Sequence, residues 1–239
     1  MNRKAMKMAV MGLICAAGIS AAAPATVNAM DWGGVVGTVL GGAMAYKEVD
    51  AYVHYVNDTE EGRQAYYEEM KDSMGVNYDE YHNAMLDTLM SNLTEGVAAH
   101  DATIQDKPFL YFLNNDKSFN ASCGLGHVMT VNTGLFRISD NIDEVAFVIG
   151  HEMGHGMKNH SLKGTQKKMR TIIGASVAAE AMGGGAAANI AMSALVGQIN
   201  NIQITKKQEW EADNLAFDYC YSAGYNPGCL LYTSPSPRD

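Results

Sequence analysis

Cysteine, proline and tryptophan are scarce in this 239-residue chain, which has four Cys, five Pro and two Trp. The four cysteines, Cys15, Cys123, Cys220 and Cys229, are too few for a disulfide scaffold. Cys123 and Cys220 can form a pair or stand as two unpaired core residues, and nothing in the sequence sets their separation. Positive charge is also short, with 17 Lys and Arg against 26 Asp and Glu and a net charge of −9. No basic patch stands out, which argues against nucleic acid and anionic membrane surface as partners. A long apolar run is missing from the body of the chain. Thr171–Ile199 is almost uncharged, but Glu180, Asn189 and Gly183–Gly185 divide it into halves too short for the ~20 residues of a span. A buried or lid-like helical hairpin is expected there. The 47% apolar fraction is enough for the core of one domain.

The two ends read differently from the body. Arg3, Lys4 and Lys7 precede the apolar run Met8–Ala23, and Val27–Ala29 has the small residues of a cleavage site. Residues 1–29 are therefore expected to be a secretory signal, with an uncleaved anchor as the alternative. The expected location is outside the cytoplasm, in the periplasm or cell envelope, with peripheral membrane contact included. Residues 30–75 form a Gly-rich and then helical segment, and 76–228 form the main domain. The tail "CLLYTSPSPRD", residues 229–239, resembles a translated sequencing adapter. On that reading the native chain continues past Gly228 and the domain is incomplete at its C-terminus, with a partner-binding region to follow.

Within the body, Glu60–Ser73 and Tyr78–Ala99 have helical amphipathic patterns, and Met85, Leu86, Leu89, Met90 and Leu93 form a core-facing stripe. "PFLYFLNND" (Pro108–Asp116) reads as a strand, and a second strand is expected around His127–Val131. A helix should start at Asp140, which can cap it, with Asp143 and Glu144 in its first turn.

That helix carries "GHEMGHGMKNH", Gly150–His160. His151 and His155 are four residues apart, so on a helix their Cβ atoms share a face about 5–6 Å apart. Two ring nitrogens can then converge on one zinc ion at about 2.0–2.1 Å. Glu152 is turned by roughly 100° from His151, too far to be a ligand but within reach of a water on the metal, where it can act as general base. The plain alternative is two surface histidines on an amphipathic helix. The preceding "EVAFVIG" is apolar, which suits a buried active-site helix better.

His160 is not the third ligand and is expected off the metal, beside a ligand or at the surface. Continued helix rotates it about 140° from His155, and proteases with a third histidine place a Gly and a His where this chain has Lys158 and Ser161. Downstream, "KKQEWEADNLAFDYC" offers a second helix on which Glu209 and Asp213 share a face, while Glu211 points to nearly the opposite side. Ala212 is small enough for close packing on the first helix. Glu209 is the economical third ligand, with Asp213 hydrogen-bonded to a ligand histidine to fix its tautomer.

"HEMGHGMKNH" with "EWEAD" downstream resembles the HtpX/BepA-type zinc metallopeptidases, the family that includes the CAAX prenyl endopeptidase. The pattern H-E-x-x-H…E-x-x-A-D falls on His151, Glu152, His155, Glu209, Ala212 and Asp213. "NASCGLGHVMTVNTGLF" and "AGYNP" are similar to further family segments, so the likeness runs roughly from Tyr78 to Gly228. It departs at "SCGLG", where the family commonly has an apolar residue, Pro and two Gly. The resemblance implies a zincin-type α+β fold, mostly helical, with a small β-sheet over the active-site helix and one zinc ion per chain. Substrate would bind as an extended strand along an edge supplied by Asn120–Ser122 or His127–Val131, with Asn120, Ala121 and His127 as contacts. His127 has two readings, a loop histidine open to solvent or a group that polarises the scissile carbonyl. The implied activity is hydrolysis of unfolded or misassembled proteins of the envelope. Two other readings stand beside it. One is an assembly factor or chaperone with a latched, rarely cleaving metal site, and the other is a membrane-embedded protease should Thr171–Ile199 span.

Overall fold

The computed structural model describes residues 43–139, 141–181 and 204–228, with backbone alone for 43–49, 169 and 172–181. The expected signal, the adapter-like tail and most of the Thr171–Ile199 hairpin lie outside the described residues. No described helix is long and apolar enough to cross a membrane.

Seven helices and a three-stranded sheet make up the described chain. Helices α1 (Ala43–Asp58), α2 (Glu60–Met74) and α3 (Glu80–Ala98) come first. Strands β1 (Leu110–Asn114), β2 (Ala121–Cys123) and β3 (Val128–Asn132) follow, then α4 (Thr133–Ile138), α5 (Ile142–Met157), α6 (His160–Ala181) and α7 (Lys206–Ser222). The strand order is β1-β3-β2, with β1 parallel and β2 antiparallel to β3.

Strand side chains alternate between faces, and here each face has its own core. Leu113, Met129, Val131, Ala121 and Cys123 join α3, α5 and α7 in one cluster. Phe112 and Val128 join Tyr52, Val53, Val56, Tyr66 and Met70 of α1 and α2 in the other. All five residues of β3 are buried, as expected for a central strand covered on both faces. This corrects one expectation. His127–Val131 leads into the middle of the sheet, so of the two expected edges only Asn120–Ser122, at β2, lies at the rim of the sheet. Cys123 and Cys220 are both buried, and no disulfide joins them.

Helix α5 begins at Ile142, where the Asn141 side chain accepts from the Asp143 N–H at 3.0 Å. Asp140, expected in that place, lies outside the described residues. Asp143 and Glu144 occupy the first turn and complement the helix dipole. Helix α7 opens on a reciprocal capping box between Thr205 and Gln208.

Small residues bring α5 and α7 together. A Cβ on Gly154 would lie 3.2 Å from Cα of Ala212, and one on Gly150 would lie 3.3 Å from Sγ of Cys220. Ala212 and Ala216 are fully buried in this seam. Ala212→Leu would force three extra heavy atoms into it. Overpacking of this kind costs about 1–3 kcal/mol, so unfolding of this variant in urea is expected at correspondingly lower denaturant, with the slope unchanged.

Candidate metal centre

His151 and His155 sit one turn apart on α5, and the close α5–α7 seam carries Glu209 to them. Their Nε2 atoms are 2.9 Å apart, and Oε2 of Glu209 lies 3.3 Å from Nε2 of His151 and 3.8 Å from Nε2 of His155. Among the described residues this is the one group of three or more His, Cys, Asp or Glu side chains that could hold a metal ion. A tetrahedral zinc site with bonds of about 2.0–2.1 Å sets its donors about 3.3 Å apart. The three separations bracket that value, and two imidazoles with one carboxylate are a donor set that zinc accepts. The residues fit the ion.

Asp213, one turn beyond Glu209, places Oδ1 2.8 Å from Nδ1 of His151. Burial alone would lower the His151 pKa, but the hydrogen bonds to Asp213 and Glu209 outweigh it and lift the ring to about 10. The same bonds to His151 and His155 hold the Glu209 carboxyl well below the ordinary range.

Glu152 points from α5 toward β2. Its Oε2 accepts the Cys123 N–H at 3.0 Å, and the Cys123 carbonyl accepts the Ser161 hydroxyl at 2.7 Å. Burial pushes the Glu152 carboxyl up from its ordinary value, against the opposing pull of His151, His155 and the Cys123 N–H. A half-buried carboxyl shifted toward neutrality is suited to taking and returning a proton.

The substrate contacts expected from sequence fare unevenly. Asn132 N–H bonds the Asn120 carbonyl and Gly124 N–H bonds the Val128 carbonyl. Antiparallel alternation therefore turns the backbone groups of Ala121 and Cys123 to the free edge of β2. The Asn120 carbonyl is committed inward. His127 is corrected outright. It has φ 58, its side chain is buried, its ring stacks on Phe109 at 4.6 Å and its Nδ1 meets the Lys107 carbonyl at 2.8 Å. Burial and nearby Lys107 lower its pKa to about 4. It is a neutral core histidine with no path to a substrate carbonyl.

His160, expected off the metal beside a ligand or at the surface, takes the first of those places. The helix does break after His155, because Lys158 caps α5 and Asn159 adopts the left-handed conformation at φ 52. The break sends His160 behind His155, with the two Nδ1 atoms 2.9 Å apart, and Oε2 of Glu211 lies 3.3 Å from Nε2 of His160.

With this geometry in place, the comparisons are decisive at the family level. Residues 82–232, well over half the chain, match Peptidase family M48. The chain belongs to that family. Among relatives of this M48 metallopeptidase, the beta-barrel assembly-enhancing protease of Escherichia coli (strain K12) is 25% identical over 240 residues, covering 96% of this chain and 46% of that protein. Metalloprotease LoiP of the same strain is 34% identical over 131 residues, covering 53% of this chain and 50% of that protein. The chain thus spans about half the length of each of these curated relatives.

Proposed function

We propose that this M48 protein is a zinc endopeptidase of the HtpX/BepA type that hydrolyses unfolded or misassembled proteins of the cell envelope. The observation that carries the reading is the triangle of His151, His155 and Glu209 with the half-buried Glu152 carboxylate beside it. Zinc held there would act as a Lewis acid, polarising the scissile carbonyl and acidifying water. The chain's own residues do the rest. A peptide lies extended along the β2 edge and pairs with the outward backbone groups of Ala121. Glu152 takes the proton of the attacking water and delivers it to the departing amine. Asp213 holds His151 so that Nδ1 keeps its hydrogen and Nε2 faces the metal. An envelope substrate is supported by the signal-like residues 1–29 and by the similarity to the beta-barrel assembly-enhancing protease of Escherichia coli. The experiment is casein hydrolysis by the intact chain with zinc, against Glu152→Gln.

One contact favours the second reading, a latched site. Glu152 and Ser161 already occupy the N–H and C=O of Cys123, so a substrate strand that pairs there must displace both. An assembly factor that seldom cleaves would show zinc but negligible casein turnover.

Zinc binding should also move protons. The lone pair that zinc needs on Nε2 of His151 carries a hydrogen in the metal-free protein, because Asp213 and Glu209 hold that ring's pKa near 10 against its burial. At pH 7 binding is expected to release about one proton, and apparent affinity should rise about tenfold per pH unit until pH nears that pKa. Calorimetry in two buffers of different ionisation heat measures this directly. Zinc binding without proton release would contradict the assignment of that hydrogen to His151.

A further inference from the structure

Helix α7 carries three carboxylates within five residues, and each of them ends on the histidine cluster. Glu209 and Asp213 both meet His151, at 3.3 and 2.8 Å. Glu211 leaves the helix on another side and meets His160 at 3.3 Å. His160 has only 1% of its side chain exposed and His155 only 2%. The rings of His155 and His160 meet at 69° with their Nδ1 atoms 2.9 Å apart. His155 is thus backed by an imidazole where His151 is backed by a carboxylate.

We infer that His160, itself held by Glu211, is a positioning residue that fixes which ring nitrogen of His155 faces the metal. This rests on the metal reading above. The hydrogens follow by elimination. A carboxylate only accepts, so Nε2 of His160 carries the hydrogen donated to Glu211. Nδ1 of a neutral His160 is then bare and accepts. Nδ1 of His155 must donate to it, and Nε2 of His155 is left as a lone pair aimed at the triangle. The opposite arrangement, with hydrogen on Nδ1 of His160 and on Nε2 of His155, would leave Glu211 facing a bare nitrogen and turn an N–H, in place of a lone pair, toward the triangle. Both ligand histidines are therefore set by carboxylates of one helix, His151 directly and His155 through an interposed ring. Asn159 makes this possible, since its left-handed turn brings His160 back behind His155.

The test is zinc affinity of the intact chain, by competition with a chromophoric chelator, for wild type, His160→Leu, His160→Asn and Glu211→Ala. Leu fills the space of the ring but cannot accept a hydrogen bond. Asn is smaller but sets an amide oxygen near the place of Nδ1. Partners of this kind change metal affinity about 10–100-fold. His160→Leu is expected to lose that much, His160→Asn clearly less, and Glu211→Ala about tenfold, the low end of that range. A packing role predicts the reverse order, with Asn worse than Leu. A second readout needs no variant. In zinc-loaded wild type, nitrogen-15 spectra should show hydrogen on Nδ1 of His155 and on Nε2 of His160. Wild-type zinc affinity in His160→Leu, or hydrogen on Nδ1 of His160, overturns the inference while leaving the metal site standing. Absence of zinc binding by wild type overturns the metal reading and the inference together. If His160→Leu does not fold, the spectra and Glu211→Ala decide.

Discussion

Glu152→Gln is expected to lower casein hydrolysis by the intact chain by about 10²–10⁴-fold, the range that a positioned general acid–base contributes. Zinc content should stay at that of wild type. The substitution is nearly isosteric, and the amide oxygen can still accept the Cys123 N–H that now holds Oε2 at 3.0 Å. What it removes is the capacity to take a proton. Glu152 is also not one of the three converging donors, so the metal site has no reason to empty. Turnover and bound zinc, measured on the same sample, separate the two roles. A variant that kept full turnover would take Glu152 out of the mechanism, and one that lost zinc would make it part of the metal site.

The centre is more legible in the sequence than the surface around it, for reasons of distance along the chain. His151 with His155, and Glu209 with Asp213, each lie one helical turn apart, so periodicity alone puts each pair on a face. Ala212 between the acids signals close packing, and the α5–α7 seam uses it that way. β1 is legible because five residues of "PFLYFLNND" are enough to show a strand. β2 has only three residues, Ala121–Cys123, too few for alternation to register, and so the division between the edge strand and the central strand stays hidden. His127 misleads because Gly126, at φ 65, and His127 itself, at φ 58, turn the chain and drive the ring into the core.

His160 and Glu211 show the other limit. The rotation that removes His160 from the metal assumes an unbroken helix, and the break depends on one backbone angle at Asn159. Glu211 does leave α7 away from Glu209, but that side faces the start of α6. That fact belongs to the packing and has no trace in the spacing of charges.

Glu209→Ala is expected to weaken zinc binding by more than about 100-fold, beyond the range for partners that merely orient a ligand. The reason lies in where the carboxylate ends. Oε2 is within 3.3 and 3.8 Å of the two Nε2 atoms, and no other described carboxylate joins them in the converging group. Asp213 cannot replace it, being held on the far nitrogen of His151 at 2.8 Å. Glu209→Asp should fail nearly as badly, since one methylene fewer withdraws the oxygens by about 1.5 Å, against a tolerance of about 0.2 Å for metal bonds. The metal-free variant offers a second readout. Glu209 is one of three acids, with Asp213 and Glu152, that keep the His151 pKa near 10 against the opposing effect of burial. Its loss should let that pKa fall, so the proton that wild type still carries at pH 8 titrates at lower pH in the variant. Zinc affinity and the His151 titration should therefore fall together. Stoichiometric zinc at wild-type affinity in Glu209→Ala would remove Glu209 from the ligand set, whatever the titration showed.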